Sequence, residues 1–296
     1  MERKEKTLFK RREHVPAKFS HELPLLSLDE IVGLDRYQFE RRARARAASA
    51  YLGDGVVLCR VMGRYKLYVS GRDVGFGAHV VMDGIWEPWI PAFMGRQIKS
   101  GMHVADVGAN HGYYTVLMAE LVGPAGRVLA VEPHPETCQL LRKSVDVNGY
   151  AGRTDVVECA VGEFAGETLT LFVPENEPKN AHVLHEAREG ALSIRSERLG
   201  DLLAGWPKID FIKIDVEGAE EAALSGAAQL IERDRPMLLL EYNIYRCRNP
   251  EGLLSWLIAL YGDLEELDLT GTLRPVSRSD LLDRAHTEDW MLYCSR

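Results

Sequence analysis

The stretch Val104-Ala105-Asp106-Val107-Gly108-Ala109-Asn110-His111-Gly112-Tyr113-Tyr114-Thr115 decides the fold. A short β-branched apolar run leads into Asp106 and Val107, as in a buried parallel strand. Gly108 and Gly112 let the backbone turn and let a ligand come close to it. Leu117, Met118, Leu121 and Val122 then recur at helical spacing. A strand, a glycine-bearing loop and a helix start form the unit at which open α/β sheets bind nucleotide-like cofactors. The plain alternative is a βα turn with no ligand.

The charge of the loop narrows the ligand. A dinucleotide site would carry G-x-G-x-x-G, so that pyrophosphate can touch backbone. Here the spacing is Gly108-x-x-x-Gly112, Asn110 sits between the glycines, and Asp106 precedes them. A carboxylate there repels pyrophosphate and suits a cationic ligand such as the sulfonium and ammonium of S-adenosylmethionine.

Outward from this unit, strands and helices alternate. Strands are expected at His103–Val107, Arg127–Glu132, Asp155–Ala160, Asp210–Val216, Pro236–Glu241, Leu264–Leu269 and Trp290–Cys294, with an extra one over Glu167–Val173. Pro174 to Ile194 reads as a polar loop, the length of a lid or binding loop. Upstream, residues 1–52 read as a polar tail followed by helices, the second starting at Asp35 and running to Leu52. Residues 53–100 read as a small β-hairpin and cap region, and 101–296 as the cofactor-binding domain. In the hairpin, Val56–Val61 and Tyr65–Val69 are the two strands.

In a parallel sheet the strand ends meet at one edge. Asp106, Glu132, Asp215, Glu217 and Glu241 fall there, an acidic rim round one crevice. Glu132, ending the second strand, can accept hydrogen bonds from both ribose hydroxyls. Helix N-terminal capping is the competing role for such carboxylates, for Glu217 and Glu220 above all. Lys213 interrupts an apolar strand and needs an anionic partner; Asp215 shares its face of the strand. A lone charge between Trp86 and Trp89, Glu87 is a candidate near the cofactor, although such tryptophans commonly serve packing.

The chain has 296 residues with a formal net charge of −8, 46% hydrophobic and 27% charged residues. This is a globular composition. Its acidity argues against nucleic acid as a partner. Arg41, Arg42, Arg44 and Arg46 cluster on one predicted helix and read as a solvated face before a phosphate-binding one. No apolar run approaches the about 20 residues of a membrane helix, and no membrane partner is expected. Residues 1–10 lack the apolar core of a signal peptide. Five scattered cysteines without CxxC spacing suggest neither zinc nor a disulfide framework, and a cytoplasmic setting follows.

Three segments together resemble the FkbM-type methyltransferases: Asp106 to Thr115, Val131-Glu132-Pro133, and Ile212-Lys213-Ile214-Asp215-Val216-Glu217-Gly218-Ala219-Glu220. Glu87-Pro88 and Gly101 also fit. The resemblance spans Ile85 to Glu241 and leaves the N-terminal 80 residues unmatched. It implies an α/β class I methyltransferase (Rossmann-like) fold: a seven-stranded sheet with the last strand antiparallel, here preceded by a helical segment and hairpin cap. It implies O-methylation of a sugar, glycan or natural-product hydroxyl by S-adenosylmethionine, with S-adenosylhomocysteine as product. Asp106, Gly108, Ala109, Asn110 and Gly112 would serve the methionine part, Glu132 the ribose, Ala160 the adenine surroundings, and Asp215 the neighbourhood of the methyl group.

A hydroxyl acceptor calls for a base. Asp215, Glu241 and His182 are the catalytic candidates, His182 because a lid can bring it over the acceptor; His111 lies nearer the cofactor loop. A divalent metal on Asp215, Glu241 and Asn243 is a second route, since these are hard oxygen donors. Two other functions stay open at this point. One is a non-catalytic cofactor-binding partner in a biosynthetic assembly; the other is a nucleic-acid methyltransferase using the arginine helix. The N-terminal helices could form a homodimer or cover the site.

Overall fold

A computed structural model describes residues 23–175, 177, 180–184 and 189–296. The polar N-terminal tail and parts of the polar loop after Pro174 lie outside the described residues.

Caps open the chain. Helix α1 (Leu28–Gly33) begins with a reciprocal capping box: Glu30 N–H donates to Ser27 Oγ (3.1 Å), and Ser27 N–H donates to the Glu30 carboxylate (2.9 Å). Asp35 caps α2 (Arg36–Arg44) by accepting from Gln38 N–H. The expected run of this helix to Leu52 is not found. Residues Ser49–Gly53 are instead strand β1, paired antiparallel with β2 (Val56–Val61) in the register Gly53↔Val56. The reason is the Asp54-Gly55 turn, with φ of 50° and 75°. Two left-handed central residues are what a two-residue hairpin needs. Strand β3 (Tyr65–Ser70) completes a three-stranded sheet.

The outer edge of β3 is closed by side chains. The N–H groups of Lys66, Tyr68 and Ser70 donate to Asn148 Oδ1, Ser144 Oγ and His111 Nε2. Alternate residues of a strand point their N–H groups the same way, so one helix and one loop satisfy a whole edge. Arg64 adds a two-pronged contact to the Glu120 carboxylate. Of the arginines expected on one helix, Arg42 pairs with Glu30 and Arg44 with Glu40 and Asp83, while Arg46 lies past the end of α2 and donates to the Pro24 carbonyl. Helices α3 (Phe76–Asp83) and α4 (Trp89–Gln97) lead into the main sheet.

That sheet is built from β4 (His103–Val107), α5 (Tyr113–Val122), β5 (Arg127–Val131), α6 (Pro135–Val147) and β6 (Thr154–Val157). Beyond it, β7 (Ala160–Val161), β8 (Thr168–Phe172), β9 (His182–Leu184) and β10 (Leu192–Glu197) form a second sheet in the order β7-β10-β8-β9. The expected strand Asp155–Ala160 therefore ends early, and Ala160 pairs with β10. The expected loop over Pro174 to Ile194 contributes two strands to the same small sheet. The chain continues through α7 (Leu199–Leu202), β11 (Phe211–Ile214), α8 (Glu220–Gly226), α9 (Ala228–Asp234), β12 (Met237–Tyr242), α10 (Pro250–Tyr261), β13 (Leu264–Leu267), β14 (Leu273–Val276), α11 (Arg278–Leu281) and β15 (Trp290–Cys294).

The order of the main sheet is β14-β13-β15-β12-β11-β4-β5-β6. Strands β6, β5, β4, β11 and β12 are mutually parallel, and β15 runs antiparallel between β12 and β13. This is the expected class I arrangement with an antiparallel last strand, extended by β14 as an eighth strand. Helices on both faces bury the central strands, and all four residues of β11 are buried. Each apolar one contributes about 1.5–3 kcal/mol relative to exposure. Lys213 among them needs another explanation.

Candidate active site

A cavity of about 330 Å³ opens at the carboxyl ends of β4, β5, β11 and β12. One half of it is made of backbone. Gly108 has a φ of 80°, and a Cβ there would stand 1.8 Å from the Asp215 carbonyl oxygen. The loops after β4 and β11 thus touch, and only glycine permits it. Asn110, at a φ of 50°, accepts from the N–H and the ring Nδ1–H of His111. That hydrogen-bond pattern makes Nε2 of His111 the acceptor for Ser70 N–H. Burial lowers the His111 pKa to about 3, in keeping with this neutral ring. His111 is a structural residue, stacked on Phe76.

Glu132 is pinned at the end of β5. Its Oε2 accepts from Asn110 N–H and its Oε1 from His134 N–H, both at 2.9 Å. Burial pushes its pKa up to about 7 against these two donors. Gly108, Ala109, Asn110, Glu132 and Ala160 all line the cavity. Asp106 and Gly112 stand behind its wall. Gly112 packs against Leu141. Asp106 is fully buried, accepting from Thr115 Oγ1 at 2.6 Å, while its Oδ1 has no hydrogen-bond partner and lies 4.0 Å from Lys213 Nζ.

The other half is made of charged side chains. Lys213 is 1% exposed and donates to Asp215 Oδ2 at 3.0 Å. Its ammonium also lies 4.9 Å from the centre of the Tyr114 ring, a cation–π contact. Burial works to discharge it, but Asp215 and Asp106 outweigh burial and hold its pKa above the ordinary lysine value. The structural ion pair expected for Lys213 is present. Glu241 lines the cavity too, and burial together with Asp215 pushes its pKa up to about 9. Arg246 bridges Glu241 (3.0 Å), Glu217 (2.9 Å) and Asp289. Glu220, in the first turn of α8, accepts from the N–H groups of Val216 and Gly218 and pins the loop after β11.

All three catalytic candidates, Asp215, Glu241 and His182, face this one cavity. The oxygen set proposed for a divalent metal does not assemble. Asn243 accepts from Tyr245 N–H (2.9 Å) and donates to Asp289 (2.8 Å), and Arg246 occupies the Glu241 carboxylate. Among the described residues no group of three or more His, Cys, Asp or Glu side chains is placed to hold a metal. Sequence reasoning missed Arg246, Asp289 and Tyr114. Tyr114 carries a local signal, since it directly follows the cofactor loop; Arg246 and Asp289 reach the site only through tertiary structure. Of the two tryptophans, Trp86 lines the cavity and Trp89 packs under the Arg36 guanidinium.

A curated protein-L-isoaspartate O-methyltransferase from Aeropyrum pernix is 44% identical over 78 residues, 25% of this chain and 29% of that protein. Methyltransferase sdnD from Sordaria araneosa is 27% identical over 161 residues, 44% of this chain and 61% of that protein. The chain thus spans less than two thirds of the length of either relative. A methyltransferase FkbM of known structure from Methylobacillus flagellatus KT aligns with a TM-score of 0.43 at 21% identity, covering 66% of this chain and 44% of that one. Residues 106–260, more than half of the sequence, match the Methyltransferase FkbM domain, and the chain belongs to that family.

Proposed function

We propose that this chain transfers the methyl group of S-adenosylmethionine to a hydroxyl oxygen of a sugar, glycan or natural-product small molecule. The observation that carries the reading is Glu132. Its carboxylate is oriented by two backbone N–H groups and faces the same cavity as the Gly108 loop and Asp215. A carboxylate so held keeps lone pairs for two vicinal ribose hydroxyls. S-adenosylmethionine supplies a methyl group on a sulfonium that leaves as a neutral thioether. The chain's own part is positioning, which accounts for much of the rate of an in-line transfer. Gly108 to Asn110 present backbone to the donor. Lys213 balances Asp106 and Asp215 and so holds the Asp215 carboxylate at the cavity wall. The acidic cavity favours a donor carrying net positive charge.

Calorimetric titration with S-adenosylhomocysteine tests the donor, and transfer of labelled methyl from S-adenosylmethionine to a panel of glycosides tests the acceptor. No heat of binding with folded protein would sink the reading. An Asp215→Ala variant that binds S-adenosylhomocysteine yet loses methyl transfer would separate an enzyme from a cofactor-binding partner without turnover.

A further inference from the structure

Two consecutive tyrosines after the cofactor loop reach across the cavity to the segment between α3 and α4. The hydroxyl of Tyr113 donates to the Trp86 carbonyl (2.9 Å) and accepts from the Trp86 N–H (3.0 Å). The hydroxyl of Tyr114 donates to Glu87 Oε2. Glu87 itself sits at a φ of 40°, in the left-handed region that a residue with a Cβ occupies only when its surroundings hold it there. Its side chain lines the cavity beside Asp215 and Lys213. Strained backbone, two phenol clamps and a cavity-facing carboxylate describe a group positioned for a task.

The other carboxylates facing the acceptor side are bound by cations. Asp215 accepts from the Lys213 ammonium and Glu241 from the Arg246 guanidinium. Both ion pairs engage carboxylate oxygens that an incoming hydroxyl would need. Glu87 is held instead by the neutral phenol of Tyr114, which orients it through Oε2. We propose that Glu87 is the base that receives the acceptor's hydroxyl proton, with Tyr114 as its positioning residue. The inference rests on the methyl-transfer reading above. In the step, the acceptor oxygen forms a bond to the methyl carbon and the carbon–sulfur bond breaks. The bonding pair stays on sulfur, and the hydroxyl proton passes to the Glu87 carboxylate.

The groups acting on Glu87 give the expected pH behaviour. Burial raises its pKa, Tyr114 on α5 lowers it, Asp215 after β11 raises it, and Lys213 on β11 and Trp86 in its own loop lower it; the net direction is up. A base must be ionised, so kcat falls as pH drops through this raised value.

The test uses the full chain, saturating S-adenosylmethionine with a labelled methyl group, and a panel of glycosides. Glu87→Gln is expected to bind S-adenosylhomocysteine within about threefold of wild type and to lose about 100-fold or more in kcat, the lower end of general-base effects. The acid limb of its kcat–pH profile should vanish. Tyr114→Phe removes a donor that favours the ionised carboxylate, so it should move the acid limb to higher pH. Wild-type kcat and an unchanged acid limb in Glu87→Gln would overturn the inference. If Glu87→Gln does not fold, the Tyr114→Phe profile decides: an unmoved limb overturns it. Failure of the wild type itself to methylate any glycoside overturns the functional reading, a different result in a different protein.

Discussion

The two halves of the cavity are built by different physics. The half formed by Gly108 to Asn110 and Glu132 is backbone: left-handed turns, N–H groups on a carboxylate, and a contact between loops that excludes even a Cβ. The half formed by Lys213, Asp215, Glu241 and Arg246 is charge, with each carboxylate answered by a cation. A site made of shape tolerates no added atom but survives a lost charge. A site made of balanced charge tolerates small changes of shape but no unpaired ion.

Removing Lys213 presses hardest on this contrast. Lys213→Leu leaves the fully buried Asp106 without its cation and strips Asp215, at the cavity wall, of its partner, and urea unfolding should report about 3–5 kcal/mol lost. An unchanged unfolding midpoint would mean that charge balance does not organise that half. On the backbone side, Gly108→Ala should weaken S-adenosylhomocysteine binding by about 100-fold or more. The added methyl forces the loops after β4 and β11 apart, and a misplacement of about 1 Å is enough for such a loss. Near-normal binding by calorimetry would show that the contact is not needed.

Glu132 joins the two kinds of construction, a charge held by backbone. Glu132→Gln should weaken binding about tenfold, because an amide N–H must then face one of the two backbone donors. In the wild type, ribose hydroxyls prefer the ionised carboxylate. Affinity should therefore fall as pH drops below about 7, and binding near that pH should release protons. Calorimetry in buffers of different ionisation enthalpy would detect the release, and Glu132→Gln should abolish it. Farthest from the cavity, Arg64→Ala cuts the link from the three-stranded sheet to Glu120 on α5 and should cost only about 1 kcal/mol. A larger shift in thermal melting would show that the cap braces the cofactor helix.

The contrast also explains what could be read from the amino acids alone. Gly108, Asn110 and Glu132 act through segments contiguous in sequence, so their spacing exposed the donor half. Asp215 and Lys213 are two apart on one strand, and alternation predicted their pairing. The Glu87–Tyr114 contact joins residues across a helix and a strand, and Arg246 meets Asp289 from the far side of two further strands. No local pattern encodes such meetings. The helix expected to Leu52 failed for a different reason. A helical reading that stops at Gly53 takes no account of the Asp54-Gly55 pair, whose two-residue turn folds Ser49–Gly53 back onto β2. Ala160 left its expected strand because a second sheet offered it a partner in β10.

The insertion of β15 between β12 and β13 bears on synthesis as well as on the finished molecule. During translation β13 and β14 emerge before the strand that attaches them to the rest. Until residue 294 clears the ribosome, β12 presents an apolar edge with unpaired backbone groups, the kind of surface that recruits stray strands. The same late segment brings Asp289 to Arg246. A chain halted before Trp290 lacks both the strand that joins β12 to β13 and the anchor that seats Asp289 beside Arg246.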